Sequence, residues 1–189
     1  MRLCYNGKKF FGRLFMCPIT SCPEQAEVTI RSAVIGDMPE LLRVYEAARA
    51  FMRAHNNPSQ WGNNNPPACE LEKNIARGEL YVMESQGKVH AAFAFIPGED
   101  PTYRVIEGAW RDDSPYAAIH RVASDGELKG VFSRCAAYCK AKCGHLRIDT
   151  HADNYPMQGA IQKEGFLPCG VIYLENGDPR LAFEFVSRK

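Results

Sequence analysis

The stretch RVASDGELKGVFSRCAAYCK, Arg121–Lys140, decides how this chain is read. A β-like run ending at Ala123 enters small and polar residues at Ser124–Gly126, passes Lys129-Gly130, and continues without a break into an apolar-periodic helix. A helix start of this kind can hold an anion. Its first backbone N–H groups lack partners, and the helix macrodipole adds about half a positive charge there. Gly130 lets the backbone come close to a ligand and Lys129 adds a point charge, while Val131, Phe132 and Ser133 open the helix. Taken alone, a strand–glycine–helix joint also occurs in many βα units that bind no phosphate.

The segment that follows changes the weight of this joint. HLRIDTHADNYPMQGAIQKEGFLPCGVIYLENG, His145–Gly177, reads as a strand (146–150), a loop, a helix (156–163), a stop at Glu164-Gly165-Phe166 and a last strand pair. In order and content the two segments resemble the GCN5-related N-acetyltransferase (GNAT) superfamily, whose acetyl-CoA motif is a glycine loop at a helix start, followed by a strand–Asn–helix–Gly-Phe motif. The resemblance runs from about residue 28 to residue 186. It implies an α/β (α+β) fold with a mixed, mostly antiparallel central sheet and helices on both faces. It also implies acetyl-CoA as acetyl donor, with Val122 and Ser124 as backbone ligands of the pantetheine arm and Asn154 as a cofactor contact.

Three positions depart from the superfamily's pattern. Its loop is usually Gln or Arg, two residues, Gly, one residue, then Gly or Ala; aligned on Gly130, this places Glu127 where a positive or neutral side chain is usual and Phe132 where a very small one is. Backbone N–H groups do not depend on these side chains, so an anion site survives if Phe132 points away from it. The tyrosine often proposed as general acid falls on Ile161.

Composition is that of a one-domain globular protein: 189 residues, 46% apolar and 24% charged. Residues 27–189 read as a single GNAT-like domain, and residues 1–26, which hold Lys8, Lys9 and Arg13 among Phe10, Phe11, Leu14 and Phe15, read as a loosely ordered extension without a signal-peptide core. A formal net charge of +1 gives no general attraction for nucleic acid or an anionic membrane surface. No apolar run approaches the roughly 18 residues needed to span a bilayer. The eight cysteines are irregularly spaced, which suggests reduced thiols in a cytoplasmic protein. Cys135, Cys139 and Cys143 share one helical face, read as packing rather than a metal site, because no closely paired loop ligands accompany them.

Around the motifs the elements follow from patterning. Residues 28–34 alternate as a strand, and Asp37 is placed to cap an amphipathic helix through Met52. Residues 55–67 are dense in turn formers, a helix over 69–77 closes at Gly78, and 80–84 with 89–96 form a hairpin. A long connection, 97–115, leads to a strand over 116–123, and strands at 171–174 and 181–185 end the chain.

Acetyl transfer to an amine requires a held thioester, removal of a proton from the ammonium, and stabilisation of the developing oxyanion. It needs no metal. His120 is the candidate base, sharing a strand face with Ala118 and Val122; a structural role is the alternative. Asp149 and His151 end the next strand and can relay a proton, or serve the turn His151–Asn154. The resemblance places the acceptor pocket between the first helices and the long connection, which supply Trp61 on one side and Tyr103 and Glu107 on the other, suited to a small-molecule or peptide amine. The expected function is therefore acetyl-CoA-dependent N-acetyl transfer by direct attack on the thioester. The alternative is a non-catalytic acyl-CoA-binding relative, and a homodimer stays open.

Overall fold

The computed structural model describes residues 27–187. The extension at 1–26, with Cys4, Cys17 and Cys22, lies outside the described residues. The strands are β1 (Thr29–Ser32), β2 (Leu80–Ser85), β3 (Lys88–Pro97), β4 (Ile106–Gly108), β5 (Ala117–Ser124), β6 (His145–Thr150), β7 (Leu167–Tyr173) and β8 (Pro179–Val186). The helices are α1 (Met38–Ala54), α2 (Ala68–Ala76), α3 (Val131–Lys142) and α4 (Tyr155–Lys163). The strands form one sheet in the order β1-β2-β3-β5-β6-β8-β7-β4, antiparallel throughout except for β5 beside β6.

Strand alternation divides the core into two layers. Tyr81, Met83, Ala91, Phe93 and Phe95 face Cys135, Ala136 and Cys139 of α3 and Ile161 of α4. Their neighbours Leu80, Val82, Ala92 and Ala94 face Leu41, Val44 and Tyr45 of α1 and Leu71 of α2. The helices thus cover both faces, as the α/β reading requires. Cys135 and Cys139 are buried packing groups of this core, and the Cys143 thiol donates to the His145 carbonyl at 3.0 Å.

Several elements differ from the sequence expectation. Asp37 precedes α1 but its carboxylate does not cap it; it turns back to accept from the Val34 N–H (2.8 Å) and from Arg31 (2.7 and 2.9 Å). The guanidinium hydrogen bond holds the Asp37 carboxyl below the usual range despite its burial. The long connection contains β4, which pairs with β7 where Gly108 and Gly170 face each other. A Cβ on either glycine would collide with the opposing backbone. Three residues are too few for a periodic signal. Among the described residues no helix is long and apolar enough to cross a membrane.

Two irregularities at the sheet centre position the site. β5 and β6 pair only at Ala117–Leu146, Ala118–Arg147 and Ile119–Ile148, and then part. On the other side of β5, Ala94 faces His120 but Ala92 faces Ala123, so Phe93 opposes both Arg121 and Val122 in a β-bulge with Arg121 at φ 54°. The bulge reverses the alternation. Val122 packs into the α3/α4 layer with Ile119, and Ala123 into the α1/α2 layer. The expectation that His120 and Val122 share a face is therefore corrected: the extra residue puts them on opposite faces.

Candidate functional site

The bulge and the parting of the strands together free a length of backbone. The Asp125 N–H donates to the His90 carbonyl of β3 (3.0 Å), so by alternation Ala123 also turns its backbone groups to β3. Val122 and Ser124 then direct theirs to the opposite edge, where β6 has left. The α1 residue Tyr45 braces the bulge, its hydroxyl donating to the Arg121 carbonyl at 2.9 Å. Burial raises the Tyr45 phenol well above its ordinary value, so it remains a donor.

Beyond Ser124 the chain turns through Gly126 and enters α3 at Gly130, the N-cap, with φ 69° and no side-chain cap. The opening amides of α3, at Val131, Phe132 and Ser133, are left for an incoming acceptor. Phe132 is 7% exposed and packs 6.1 Å from Phe166, so its ring belongs to the core. Glu127 is tethered away by Lys88 at 3.0 Å. Lys129 is exposed next to Gly130. Asp125 is held by Arg43 (3.0 Å) and His90 (3.1 Å); burial disfavours its charge, but these bonds and the Glu127 N–H keep its carboxyl below the usual range. A cavity of about 470 Å³ lies over this joint, closed by Ala48, Phe51 and Met52 of α1 and by Pro156, Met157 and Ala160 of α4.

A second cavity, about 300 Å³, lies beyond the parted strands and is lined by His120, Asp149, Asp100, Trp61, Arg121 and Arg180 among others. Val122, Asn154 and Met157 line both cavities. They meet where the strands separate. In the second cavity His120 Nε2 lies 2.8 Å from Asp100 Oδ2, and His120 Nδ1 lies 3.7 Å from Asp149 Oδ1. Asp149 Oδ1 accepts from the Tyr103 hydroxyl at 2.7 Å. Burial opposes ionisation of Asp100, yet hydrogen bonds from His120 and from Thr102 outweigh it and hold this carboxyl well below the usual range. Burial, then the Asp149 charge, raise the Tyr103 phenol well above its ordinary value.

The structure thus brings together His120, Asp149, Val122, Ser124, the Gly130 joint, Asn154 and Trp61. Asn154 caps α4, Oδ1 accepting from the Met157 N–H (3.2 Å), while its Nδ2 donates to Gln60 (2.8 Å). Other expected residues stand apart. The His151 ring accepts from the Asp153 N–H at 3.2 Å and serves the turn before α4. Tyr103 is 2% exposed and supports Asp149 from beneath, with Trp110 donating to its carbonyl at 2.9 Å. Glu107 lies on β4 at the sheet's outer edge and does not line the cavity. Asp100 and Arg180 were not foreseen. The Asp-Pro-Thr run signals only a cap, which Asp100 also makes to the Thr102 N–H at 2.8 Å, and Arg180 follows from nothing local.

A twisted mixed sheet whose two central parallel strands part beside a glycine-started helix is the fold of the GCN5-related N-acetyltransferase superfamily. No protein-family model and no curated protein matches the chain. Among solved structures it is similar to a GNAT-family acetyltransferase of Streptococcus agalactiae, with TM-score 0.74 and 26% identity over 86% of this chain and 96% of that one. It is similar in fold to an N-acetyltransferase of Staphylococcus aureus (TM-score 0.56, 19% identity, 85% and 99% covered). It also shares the fold of yncA from Salmonella typhimurium, solved with its cofactor acetyl-CoA (TM-score 0.55, 14% identity, 86% and 95% covered). Fold and comparison together show that the chain has the GNAT-superfamily fold.

Proposed function

We propose that this protein is an acetyl-CoA-dependent N-acetyltransferase that acetylates a small-molecule or peptide amine by direct attack on the thioester. The observation that carries the reading is the meeting of the two cavities at Val122, Asn154 and Met157. One cavity offers amides and an apolar wall to a nucleotide thioester, and the other offers titratable groups to an amine. The likeness to acetyltransferases, one solved with acetyl-CoA, supports the same reading.

The residues present fit this co-substrate. The uncapped amides at the start of α3 suit a pyrophosphate, with Lys129 beside them and Glu127 drawn off by Lys88. The Val122 and Ser124 backbone edge suits the amides of a pantetheine arm, and the Val122 N–H is placed for the charge that develops on the thioester oxygen. Acetyl-CoA supplies an activated thioester carbonyl, so the protein's remaining task is the amine. Asp149 Oδ2 receives no hydrogen bond among the described residues and is available to an ammonium. With Nε2–H donating to Asp100, His120 Nδ1 presents a lone pair, and the imidazolium formed by taking the proton is stabilised between two carboxylates. Ile161, which is 0% exposed, leaves protonation of the departing thiolate to solvent.

The experiment is incubation with acetyl-CoA and a panel of amines, following free thiol. Thiol release that requires both reactants is the expected result. The buried Ile161, in place of a phenol, also favours a second reading, a non-catalytic acyl-CoA-binding relative. CoA binding by calorimetry with no thiol release from any amine would select it.

A further inference from the structure

The acceptor cavity holds opposite charges that do not neutralise each other. Asp149 stands on one wall, its Oδ2 without a partner among the described residues. Arg180 stands on the same sheet face: Asp149 opposes Ala182 across the β6–β8 ladder, and Arg180 is two residues away from Ala182. The Arg180 residue is 5% exposed. It donates to the Pro179 carbonyl at 2.9 Å and the Gln60 carbonyl at 3.5 Å, and its nearest carboxylate is the half-exposed Asp178, 3.9 Å away. A guanidinium has five N–H donors, so three have no acceptor among the described residues. A buried cation with so few partners is costly unless an anion joins it. Arg121 lines the same cavity, its own carboxylate partner Glu70 being 3.9 Å distant.

We infer that the acceptor is a zwitterionic primary amine, an amino acid in chemical class, whose ammonium is received by Asp149 and His120 and whose carboxylate is received by Arg180. The inference rests on the acetyl-transfer reading for what becomes of the occupant, but not for its binding. Asp149 and Arg180 line one cavity of about 300 Å³, room for an amine and a carboxylate separated by a few bonds with a hydrogen bond at each end. The planar fork of Arg180 suits a carboxylate bidentately, and Trp61, packed 5.7 Å from Tyr45, lines the same cavity.

The test compares the natural amino acids with their C-terminal amides, as acceptors by thiol release and as ligands by calorimetry in the presence of CoA. At least one amino acid should exceed its amide about tenfold or more in kcat/KM, the equivalent of one charge-assisted hydrogen bond. Arg180→Gln should reduce that ratio about tenfold, chiefly through KM, and Arg180→Lys should keep part of it. Equal use of acid and amide by the native protein, or an Arg180→Gln ratio like the native one, would overturn the inference. If no amine is acetylated, calorimetry still decides it: an amino acid that binds more tightly than its amide upholds the carboxylate site while the transferase reading fails, and no binding of either refutes the site. Should Arg180→Gln not fold, Arg180→Lys and the native acid–amide comparison carry the same decision.

Discussion

His120 is treated differently by its two carboxylates, and the difference assigns their roles. At 2.8 Å Asp100 engages Nε2 directly, whereas Asp149, 3.7 Å from Nδ1, lies beyond hydrogen-bond distance. An alkyl ammonium near pKa 10 is about 0.1% free base at neutral pH, so ~4 kcal/mol separates it from attack unless a base or the site assists. His120→Gln is expected to lower kcat by on the order of 10²-fold, with unchanged acetyl-CoA affinity and loss of the acidic limb of the pH–rate profile. Near-normal kcat with the limb retained would make the histidine structural. Asp100 gives a stability test. Its folded carboxyl lies below its unfolded value near 3.9, so its ionisation contributes stability that is complete above that pH and is lost as pH falls through the folded value. Asp100→Asn should therefore cost about 1–3 kcal/mol at pH 7, and the gap in urea midpoint should narrow below pH ~4. A gap that persists unchanged in acid would place the defect elsewhere than in the charge.

At the scale of the element, the start of α3 separates a conformational need from a chemical one. Gly130 is left-handed at φ 69°, yet a Cβ built on it meets nothing within 4 Å. Gly130→Ala should then cost about 1–2 kcal/mol of stability, the strain of that conformation, and leave CoA affinity within a few-fold. Gly130→Glu should abolish CoA binding, because its charge opposes the pyrophosphate at the amides. Calorimetry with CoA on both folded variants checks this. Unchanged affinity in Gly130→Glu would move the cofactor's site away from the joint. β5 is divided in the same way: its first residues pair with β6, and past the bulge its free edge is turned to the opening.

Across the whole molecule, two apolar layers on opposite faces hold one sheet, and the gap between β5 and β6 joins the cavities. The His90, Asp125 and Glu127 side chains form a cluster of potential metal ligands near the glycine joint. Arg43 lies 3.0 Å from Asp125 and Lys88 lies 3.0 Å from Glu127, so fixed cations already balance these carboxylates. Turnover should accordingly survive EDTA, since thioester aminolysis with backbone donors uses no metal. Loss of activity in EDTA that zinc restores would assign this cluster, or the cysteine face of α3, a catalytic part.

What the amino-acid sequence determined by itself is what local pattern encodes. The period of α1, the hairpin across residues 85–88 and the glycine start of α3 were all legible in short windows, whereas the cap that Asn154 makes on α4 emerged with the structure. So was the order of elements behind the superfamily resemblance. The tertiary structure alone decided the rest. A bulge at Arg121 arises from register between β3 and β5, and it moved Val122 to the face opposite His120. Asp100 meets His120 twenty residues along the chain, and Gln60 meets Asn154 across ninety-four. Glu107 and His151, plausible by residue type, were drawn into an edge strand and a turn. The physical reason is that side-chain chemistry is local, whereas which groups share a cavity depends on strand pairing, and one inserted residue inverts the facing of everything beyond it.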